Sequence, residues 1–408
     1  MRNDIFCRFK VILEICKNTC YYLSMIKRDI EAELINLSTQ YPVVTITGPR
    51  QAGKTTLAQM VFANYNYCNL ESPDIRQLAV EDPRALFSSF PPPVIIDEVQ
   101  RVPDLLSYIQ VMADENEKPG QFILTGSHHL NLHEAITQSL AGRTALLTLY
   151  PLSIKELSQA GYNLNRDEFI FTGFLPRIYK DKLEPHKVYR NYYQTYIEKD
   201  LRRVSNIRNL DQYEKFLHLL AGRTGQLINL HALSGDIGVS STTLGEWLSI
   251  LEASFIIFRL KPYHANFGKR IVKSPKLYFT DVGLAAYLLG INEIEQVPRD
   301  PLLGNLFENM VIIEALKAMM NQGLESALHF YRDANQKEID LLYKKGRNLF
   351  PVEIKAAMTY NKSLHSNVSY FNKISGGDKG YLIYAGDLEF ETSSLSVLNF
   401  TSTYRIFE

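Results

Sequence analysis

The sequence predicts an α/β protein in which a parallel sheet comes first and helical, winged-helix and small α/β regions follow. Three observations lead to this expectation. Short apolar segments alternate with helical ones in the first third of the chain, which is typical of parallel sheets with helices on both faces. A helix, a tight turn, a second helix and a strand follow one another near residues 228–263. A helix and a strand hairpin begin the last part of the chain.

Length and composition narrow the class of protein. The 408 residues exceed the roughly 250 to 300 at which one hydrophobic core stops growing, so we expect several domains. The 44 basic and 44 acidic residues balance, which argues against a strongly basic nucleic-acid binder but leaves a local basic patch open. The four cysteines have no zinc-binding spacing, and apolar runs stay well below the ~20 residues of a membrane helix. We expect a cytoplasmic protein without a membrane partner.

The first 24 residues do not have the pattern of a signal peptide. Charged residues such as Arg8, Lys10 and Glu14 interrupt the apolar stretch that such a peptide needs. A complete start, a short amphipathic helix leading into a buried strand, follows from Met25. We therefore expect residues 1–24 to be a poorly packed extension before the working start, with an N-terminal helix docked on the first domain as the alternative.

The predicted sheet of the first domain, residues 25–165, has four strands. They are the apolar segments at residues 43–47, 93–100, 121–127 and 145–153, with helical segments between them. In a parallel sheet the carboxyl ends of these strands meet at one edge.

The loop after the first strand predicts a phosphate-binding site. "GPRQAGKT" has the spacing G-x-x-x-x-G-K-[ST], and both the strand before it and the helix after it are in place. The glycines let backbone N–H groups turn toward phosphate oxygens, Lys54 reaches the β- and γ-phosphates, and the Thr55 hydroxyl binds Mg²⁺. The residues expected to hold the nucleotide are Gly48, Pro49, Arg50, Gln51, Ala52, Gly53, Lys54, Thr55 and Thr56.

Polar residues at the ends of the next two predicted strands favour hydrolysis over simple binding. Asp97 ends an apolar strand, where a carboxylate binds Mg²⁺ of the nucleotide, and Glu98 beside it is suited to polarise the attacking water. Thr125 or Ser127 closes the neighbouring strand, where it contacts the γ-phosphate or orients the water. The alternative for Glu98 is a solvated charge at a strand end.

Arg143, in "SLAGRTALLTLY", is the candidate for an arginine that stabilises the transition state. Such an arginine accelerates phosphoryl transfer by about 10³ to 10⁵ and acts from its own chain or from a neighbouring subunit. A structural salt bridge is an equally supported alternative. A role in trans would require an oligomer.

The middle of the chain predicts a helical connecting region, residues 166–225, and a winged-helix-like domain, residues 226–292. Gly238 marks the turn between two helices, and Ser240 or Ser241 caps the second. DNA is the expected partner of this domain, and a winged helix used only for packing is the alternative. The basic residues proposed to meet DNA are Lys261, Lys269, Arg270 and Lys273.

The last region, residues 300–408, carries a second candidate site. Asp340 lies in the first strand of a predicted hairpin, and Glu353 and Lys355 share one face of the second, in the order D-x12-E-x-K, with Glu308 on the helix upstream. Carboxylates at this spacing can hold a second divalent metal, and the lysine can assist water attack on a phosphodiester. The alternative is a set of ordinary charges at strand ends.

The motifs taken together resemble the bacterial and archaeal AAA+-like ATPases that join an N-terminal P-loop module to a C-terminal domain of unknown function. The similarity rests on "GPRQAGKTTL", "VIIDEVQRVPDLL", "ILTGSHHL", "SLAGRTALLTLYPLSIKEL", "YYQTYIEKDLRRV", "KLYFTDVGLAAYLLG", "LFENMVIIEAL" and "EIDLL" with "PVEIKAA". They cover most of residues 25–360 in order.

The resemblance implies an ATPase core, a winged-helix-like middle and a C-terminal region similar to restriction-endonuclease folds of the PD-(D/E)XK type. Carried over, Asp97 and Glu98 match the Walker B positions, Thr125 or Ser127 sensor 1, and Arg143 the arginine of "AGR". The nuclease-like signature departs at Ile339, which stands where that signature names a proline.

Three functions follow from these observations. The first is a Mg²⁺-dependent ATPase whose cycle moves the winged-helix and C-terminal domains, acting on DNA. The second is a nucleotide-controlled DNA nuclease. The third is a switch that binds ATP without significant turnover.

Overall fold

The structure, a computed structural model, describes residues 25–116, 118–127, 136, 138–196, 210–263 and 274–408. The extension expected at residues 1–24 lies outside these ranges, as do three of the basic residues proposed to meet DNA, Lys269, Arg270 and Lys273. None of the helices in these ranges combines the length and the apolarity that crossing a membrane requires.

The first unit is a five-stranded parallel sheet between two layers of helices. Its strands are β1 Val43–Thr47, β2 Asn66–Asn69, β3 Val94–Asp97, β4 Phe122–Thr125 and β5 Thr144–Thr148, in the order β2-β3-β4-β1-β5. Its helices are α1 Glu31–Ser38, α2 Lys54–Val61, α3 Pro73–Glu81, α4 Pro83–Ser89 and α5 Leu105–Glu115. The predicted α/β class with a parallel sheet is confirmed. The prediction missed β2.

Buried strand residues alternate between the two faces of this sheet. Val43 and Ile96 pack into the core on the side of α4 and α5, whereas Val44 and Ile95 pack into the core on the side of α1 and α2. This follows from the two-residue period of a strand. With both faces covered, the carboxyl edge of the sheet is where loops carry polar groups.

A helical region follows the sheet. It contains α6 Ile154–Gln159, α7 Arg166–Thr172, α8 Pro176–Lys180, α9 Pro185–Tyr192 and α10 Leu210–Ala221. The next elements are α11 Leu230–Ile237, α12 Ser241–Ala253, the antiparallel pair β6 Ile257–Leu260 and β7 Lys276–Phe279, and α13 Val282–Leu288.

The turn between α11 and α12 has the predicted residues. Gly238 has a φ of +78°, and the Ser240 side chain accepts a hydrogen bond from the Thr243 N–H at the start of α12. The predicted helix, turn, helix and strand are therefore present, while the assignment of this region as a winged helix stays a prediction.

The last part is α14 Leu303–Met320 followed by a six-stranded mixed sheet. The strands are β8 Leu328–Arg332, β9 Glu338–Lys345, β10 Asn348–Lys355, β11 Gly380–Tyr384, β12 Phe390–Glu391 and β13 Leu395–Asn399, with α15 Ser366–Ser375 between β10 and β11. Their order is β12-β13-β11-β10-β9-β8, and β9 and β10 form the predicted hairpin.

One hydrophobic cluster joins the helical region to the C-terminal sheet. It extends from Tyr150, just after β5, to Phe407. Helix α14 lies inside this cluster, and twelve of its eighteen residues are buried. The helix therefore contacts both the helical region and the C-terminal sheet. The bounds predicted for separate domains stay a prediction.

Candidate functional site

The loop between β1 and α2 has the backbone of a phosphate-binding loop. Gly48 has a φ of +141°, and a Cβ placed on it would lie 2.1 Å from the carbonyl oxygen of Leu149. Gly53 has a φ of +94° and immediately precedes α2. Only glycine fits the first position without strain. The loop therefore leads into the N-terminus of α2, whose exposed N–H groups and dipole favour a bound anion.

Lys54, the first residue of α2, is buried against this loop. Its side chain folds back so that Nζ donates to the carbonyl oxygens of Gly48, at 3.0 Å, and Pro49, at 2.8 Å. Burial lowers the pKa of Lys54 to about 8, against the opposing influence of Glu98 and Asp97. The ammonium group is thus within reach of any phosphate enclosed by the loop.

Thr55 and Asp97 meet at the carboxyl edge of the sheet. The Thr55 hydroxyl donates to Asp97 Oδ1 at 2.7 Å, and the Tyr67 hydroxyl donates to Oδ2 at 2.9 Å. The Thr125 hydroxyl also donates to Oδ1. A hydroxyl and a carboxylate at this distance are the hard oxygen ligands that Mg²⁺ accepts beside nucleotide phosphates. The donor set therefore fits the expected Mg²⁺ ion.

Glu98 follows Asp97 in a left-handed backbone conformation, with a φ of +56°. Few non-glycine residues adopt this conformation, and those that do cluster at functional sites. Its carboxylate accepts a hydrogen bond from the Gln100 side-chain amide, and that amide also donates to Ser127 Oγ at 2.9 Å. The Glu98 N–H donates to Thr125 Oγ1 at 3.3 Å. Glu98, Thr125 and Ser127 are therefore brought together as predicted.

A cleft of about 590 Å³ opens beside the phosphate-binding loop. Gln51, Gly53 and Thr56 contribute one wall. Ile26 and Pro176, which come from the segment before α1 and from α8, line it as well. An apolar cleft next to a phosphate site can hold the base and sugar of a nucleotide.

Arg143 lies away from this site. It immediately precedes β5, whose first residue, Thr144, pairs with Val43 at the start of β1. The five residues of β1 put about 16 Å between this edge and the loop. Its guanidinium contacts Asp114, with Nε 2.5 Å from Oδ1 and Nη2 2.8 Å from Oδ2. In its own chain Arg143 therefore lies at the edge of the sheet opposite the loop, where the alternative salt bridge is present. A role in trans stays a prediction.

The predicted C-terminal residues also converge. Lys355 Nζ lies 2.8 Å from Asp340 Oδ2 and 2.6 Å from Glu353 Oε2. Burial raises the pKa of Glu353 to about 8, with Asp340 adding to the effect. Burial opposes ionisation of Asp340, but Lys355 and Lys276 outweigh it and lower the pKa of that carboxyl. The surroundings thus favour the ionised form of Asp340 and oppose that of Glu353.

The second divalent metal expected at this site is not supported. Within the ranges that the structure describes, no group of three or more His, Cys, Asp and Glu residues could hold a metal ion. Lysines are the partners of the carboxylates instead. Lys276 Nζ lies 2.8 Å from Glu308 Oε1, and Lys355 bridges Asp340 and Glu353. The ammonium groups supply the positive charge that a metal was expected to supply.

The prediction from sequence missed three residues that contact the nucleotide-site elements. Tyr67 lies on β2, whose segment "NYCN" is rich in asparagine and gave no strand signal. Gln100, two residues after Glu98, had only its proximity to the strand end as a signal. Arg28 donates to the carbonyl oxygen of Ala52 in the loop at 2.8 Å, and nothing in "MIKRDIEAEL" pointed to it.

Comparisons with known proteins identify an AAA domain in the first unit. A family model described as "AAA domain" matches residues 40–158. Two domains of unknown function, DUF8612 and DUF4143, match residues 164–295 and 303–403. The last match does not address whether the C-terminal region resembles an endonuclease.

Relatives match across most of the chain. An uncharacterized protein of Mycobacterium tuberculosis is 31% identical over 336 residues, which cover 82% of this chain and 74% of that protein. A protein of Mycobacterium bovis gives the same values. An uncharacterized protein of Haemophilus influenzae is 22% identical and covers 79% of this chain and 84% of its own.

Two solved structures are similar at a lower level. The Walker-type ATPase PABY2304 of Pyrococcus abyssi has a TM-score of 0.39 and 14% identity, covering 65% of this chain and 96% of its own. AMPPCP-bound DnaA from Aquifex aeolicus has a TM-score of 0.29 and 16% identity, covering 55% and 85%.

Proposed function

This chain belongs to the family of its uncharacterized mycobacterial relatives and matches an AAA domain over residues 40–158, and from that premise we propose that it is a Mg²⁺-dependent ATPase hydrolysing ATP at the loop of residues 48–56. The observation that carries the proposal is the contact between Thr55 Oγ1 and Asp97 Oδ1 at 2.7 Å, with Glu98 next in the chain. This contact places the phosphate-binding loop motif and the carboxylates after β3 side by side. A protein that only holds phosphate has no need for the second carboxylate.

Each of these residues has a distinct task in hydrolysis. Lys54 and the loop N–H groups bind the phosphates and oppose their negative charge. Thr55 and Asp97 would hold Mg²⁺, which neutralises charge on the phosphate oxygens when bound. Glu98 is oriented by the Gln100 amide and accepts a proton from the attacking water. The Ser127 hydroxyl accepts a hydrogen bond from the same Gln100 amide and so helps to orient Glu98.

The cleft beside the loop supports a nucleotide over a simple phosphate ion. Its volume of about 590 Å³ lies in the range of small-molecule sites, and Leu57, Met60 and Leu152 give it apolar surface. These side chains can contact a flat base, and Thr56 of the phosphate-binding loop lines the same cleft. ATP is therefore the substrate that uses both the loop and the cleft.

The ATPase cycle acts on the rest of the chain in this proposal. The core that begins at Tyr150 continues into the winged-helix-like region and the C-terminal sheet, so a change at the sheet edge meets closely packed neighbours. DNA at the winged-helix-like region is the partner proposed for this movement. Binding that weakens steeply with salt would support that partner.

Release of phosphate by the purified protein tests the hydrolysis. We expect Glu98→Gln to lower the rate by about 10² to 10⁴ while ATP still binds, because only the polarisation of water is lost. Lys54→Ala is expected to remove binding and release together. Glu115→Gln, which neutralises an exposed carboxylate at the end of α5, is the matched control with an unchanged rate.

The same assay separates the enzyme from a switch. Tight ATP binding by the wild type without phosphate release would favour the switch, in which ATP occupancy alone orders the chain. A rate that Glu98→Gln leaves unchanged would remove the assigned role of Glu98.

A second candidate function is cleavage of DNA at the C-terminal site. The observation in its favour is the convergence of Asp340, Glu353 and Lys355, with the Glu353 side chain buried. Incubation with linear, circular and single-stranded DNA in Mg²⁺ or Mn²⁺ tests it. Asp340→Ala would abolish cleavage, and Asp378→Ala at an exposed position would not. Cleavage that survives Asp340→Ala would exclude this site.

A further inference from the structure

A buried arginine connects the phosphate-binding loop to the segment after β5. Arg28 is 7% exposed, and its Nη1 donates to the carbonyl oxygen of Ala52 at 2.8 Å. Its Nη2 donates to the carbonyl oxygen of Tyr150 at 2.7 Å, and its Nε pairs with Glu156 Oε1 at 3.0 Å. The guanidinium therefore joins the loop backbone to the start of α6.

Glu156 fixes that start. Its Oε2 accepts from the N–H of Ser153, and the Ser153 hydroxyl accepts from the N–H of Glu156, so the two residues form a capping box. Its Oε1 also accepts from the N–H of Asp29 at 2.8 Å. Because Glu156 is only 1% exposed, these bonds are shielded from water.

The next contact passes to α14. The N–H of Ile154 donates to Glu314 Oε2 at 2.8 Å. Glu314 Oε1 pairs with Lys317 Nζ at 2.7 Å, and the same Nζ donates to the carbonyl oxygen of Leu152 at 2.7 Å. Glu314 and Lys317 are 6% and 1% exposed. Glu314 and Lys317 of α14 thus bind the backbone of residues 152–154, next to the groups that Arg28 and Glu156 contact.

The same helix contacts the C-terminal site with its first turns. Glu308 lies six residues before Glu314, about 9 Å along the helix axis. Its Oε1 accepts from Lys276 Nζ at 2.8 Å and from the Tyr278 hydroxyl at 2.6 Å. Lys276 also pairs with Glu338 of β9 at 2.5 Å. One rigid helix therefore links the ion pairs near the loop to those beside Asp340.

These charges are costly to separate. Breaking a buried ion pair leaves one charge without its partner in a poorly solvated interior, so its members keep their contacts when the surrounding backbone moves. The carbonyl oxygen of Ala52 belongs to the loop that encloses the phosphates. A shift of that carbonyl on nucleotide binding moves Arg28, and the contacts described above lead from Arg28 to α14.

We propose that Arg28, Glu156 and Glu314 form a coupling path through which nucleotide at the phosphate-binding loop changes the C-terminal site at β9 and β10. The inference rests on the proposed binding of ATP at the loop. Glu314 is a positioning residue in this path, because it touches neither the loop nor Asp340. The test measures a response at the far end of the path, in β9 and β10.

Hydrogen–deuterium exchange of the full chain, with and without a saturating non-hydrolysable ATP analogue and Mg²⁺, measures that response. In the wild type we expect the analogue to change exchange in peptides covering Glu338–Lys355 by at least twofold. Glu314→Gln keeps the shape of the side chain but loses its charge opposite Lys317, and we expect it to lose the response. Glu325→Gln, at an exposed position beyond α14, is the matched control and keeps the response.

A second variant keeps the test decisive if Glu314→Gln fails to fold. Glu156→Gln preserves the capping box, in which glutamine also serves, and removes the ion pair with Arg28. It too is expected to lose the response.

Calorimetric titration with the analogue, run on the same samples, separates the two proposals. A wild type that binds the analogue without a change at Glu338–Lys355, or a folded Glu314→Gln or Glu156→Gln variant that keeps the change, overturns the coupling path alone. A wild type that does not bind the analogue overturns the proposed function and this path with it.

Discussion

Lys54 and Asp97 are the residues on which the candidate nucleotide site depends most. Lys54 gives its hydrogen bonds to loop carbonyls, and Asp97 accepts hydroxyl donors from three different elements through Thr55, Tyr67 and Thr125. Burial lowers the pKa of Lys54 to about 8. The charge available to bind phosphate therefore changes with pH near the physiological range.

We predict that ATP affinity falls as the pH rises through 8. Phosphate binding needs the Lys54 ammonium, and a group with a pKa of about 8 goes from roughly nine-tenths protonated at pH 7 to one-tenth at pH 9. The affinity measured by titration calorimetry should fall about tenfold over this interval. Lys54→Arg is the control, because arginine keeps its charge over this pH range. The ATP affinity of this variant should be the same at pH 7 and at pH 9.

The same pKa shift sets the sign of a stability effect. Without nucleotide, the folded chain releases the Lys54 proton near pH 8, whereas the unfolded chain holds it up to its ordinary pKa of 10.5. Since the unfolded state binds more protons between these values, Lys54 adds to the free energy of unfolding as the pH rises from 8 to 10.5. A wild type whose ATP affinity is the same at pH 7 and pH 9 would contradict both expectations.

At the scale of elements, the site is the product of β1, β3, β4 and the loop before α2. The strands β1, β3 and β4 were predictable because most of their residues are apolar or β-branched and their polar ends stand at fixed points in the sequence. The loop was predictable from its glycine spacing, because the backbone at Gly48 leaves no room for a side chain. Local signals of this kind are written in a few neighbouring residues.

Other elements of the site gave no such signal. The strand β2 pairs with β3 although its short segment "NYCN" lacks a strand pattern, so its Tyr67 was not expected beside Asp97. Arg28 meets Glu156 across 128 positions of sequence, a separation that no local pattern describes. The place of Arg143 at the opposite edge of the sheet needed the register of β5, which composition does not contain.

Gly48→Ala tests the loop as an element. The added Cβ would meet the Leu149 carbonyl oxygen at 2.1 Å, and the φ of +141° disfavours any side chain. We expect the free energy of unfolding to fall by about 1–3 kcal/mol and ATP binding to be lost. Denaturant unfolding and calorimetric titration measure the two effects.

Gly235→Ala is the control for that substitution. Gly235 lies within α11, and a Cβ there meets nothing within 4 Å. Alanine should leave ATP binding unchanged and raise the free energy of unfolding by about 0.5–1 kcal/mol through helix propensity. Equal ATP binding by Gly48→Ala and the wild type would show that the loop does not enclose the phosphates as described.

At the scale of the whole molecule, the chain is less divisible than its motifs suggest. The family matches end at residue 295 and begin again at residue 303, as if a boundary lay between them. The hydrophobic cluster crosses that boundary without interruption, and α14 just after it is buried along most of its length. Pro298 and Pro301 lie near this boundary, but the packing of the neighbouring helix makes the two sides one core.

We predict that a chain ending at Leu302 does not fold cooperatively. Loss of α14 uncovers Phe279 and other buried residues of the helical region, and it removes Glu308, the partner of buried Lys276. A buried lysine without a counter-ion and an exposed apolar face both favour unfolding. Thermal unfolding followed by circular dichroism, together with binding of a hydrophobic dye, should report a broad transition and exposed apolar surface.

A chain beginning at Met25 and keeping the C-terminal part is the control, and it should unfold as sharply as the full chain. A sharp transition for residues 1–302 would mean that the core after β5 is complete without α14, and the coupling path through that helix would then join two independently stable units.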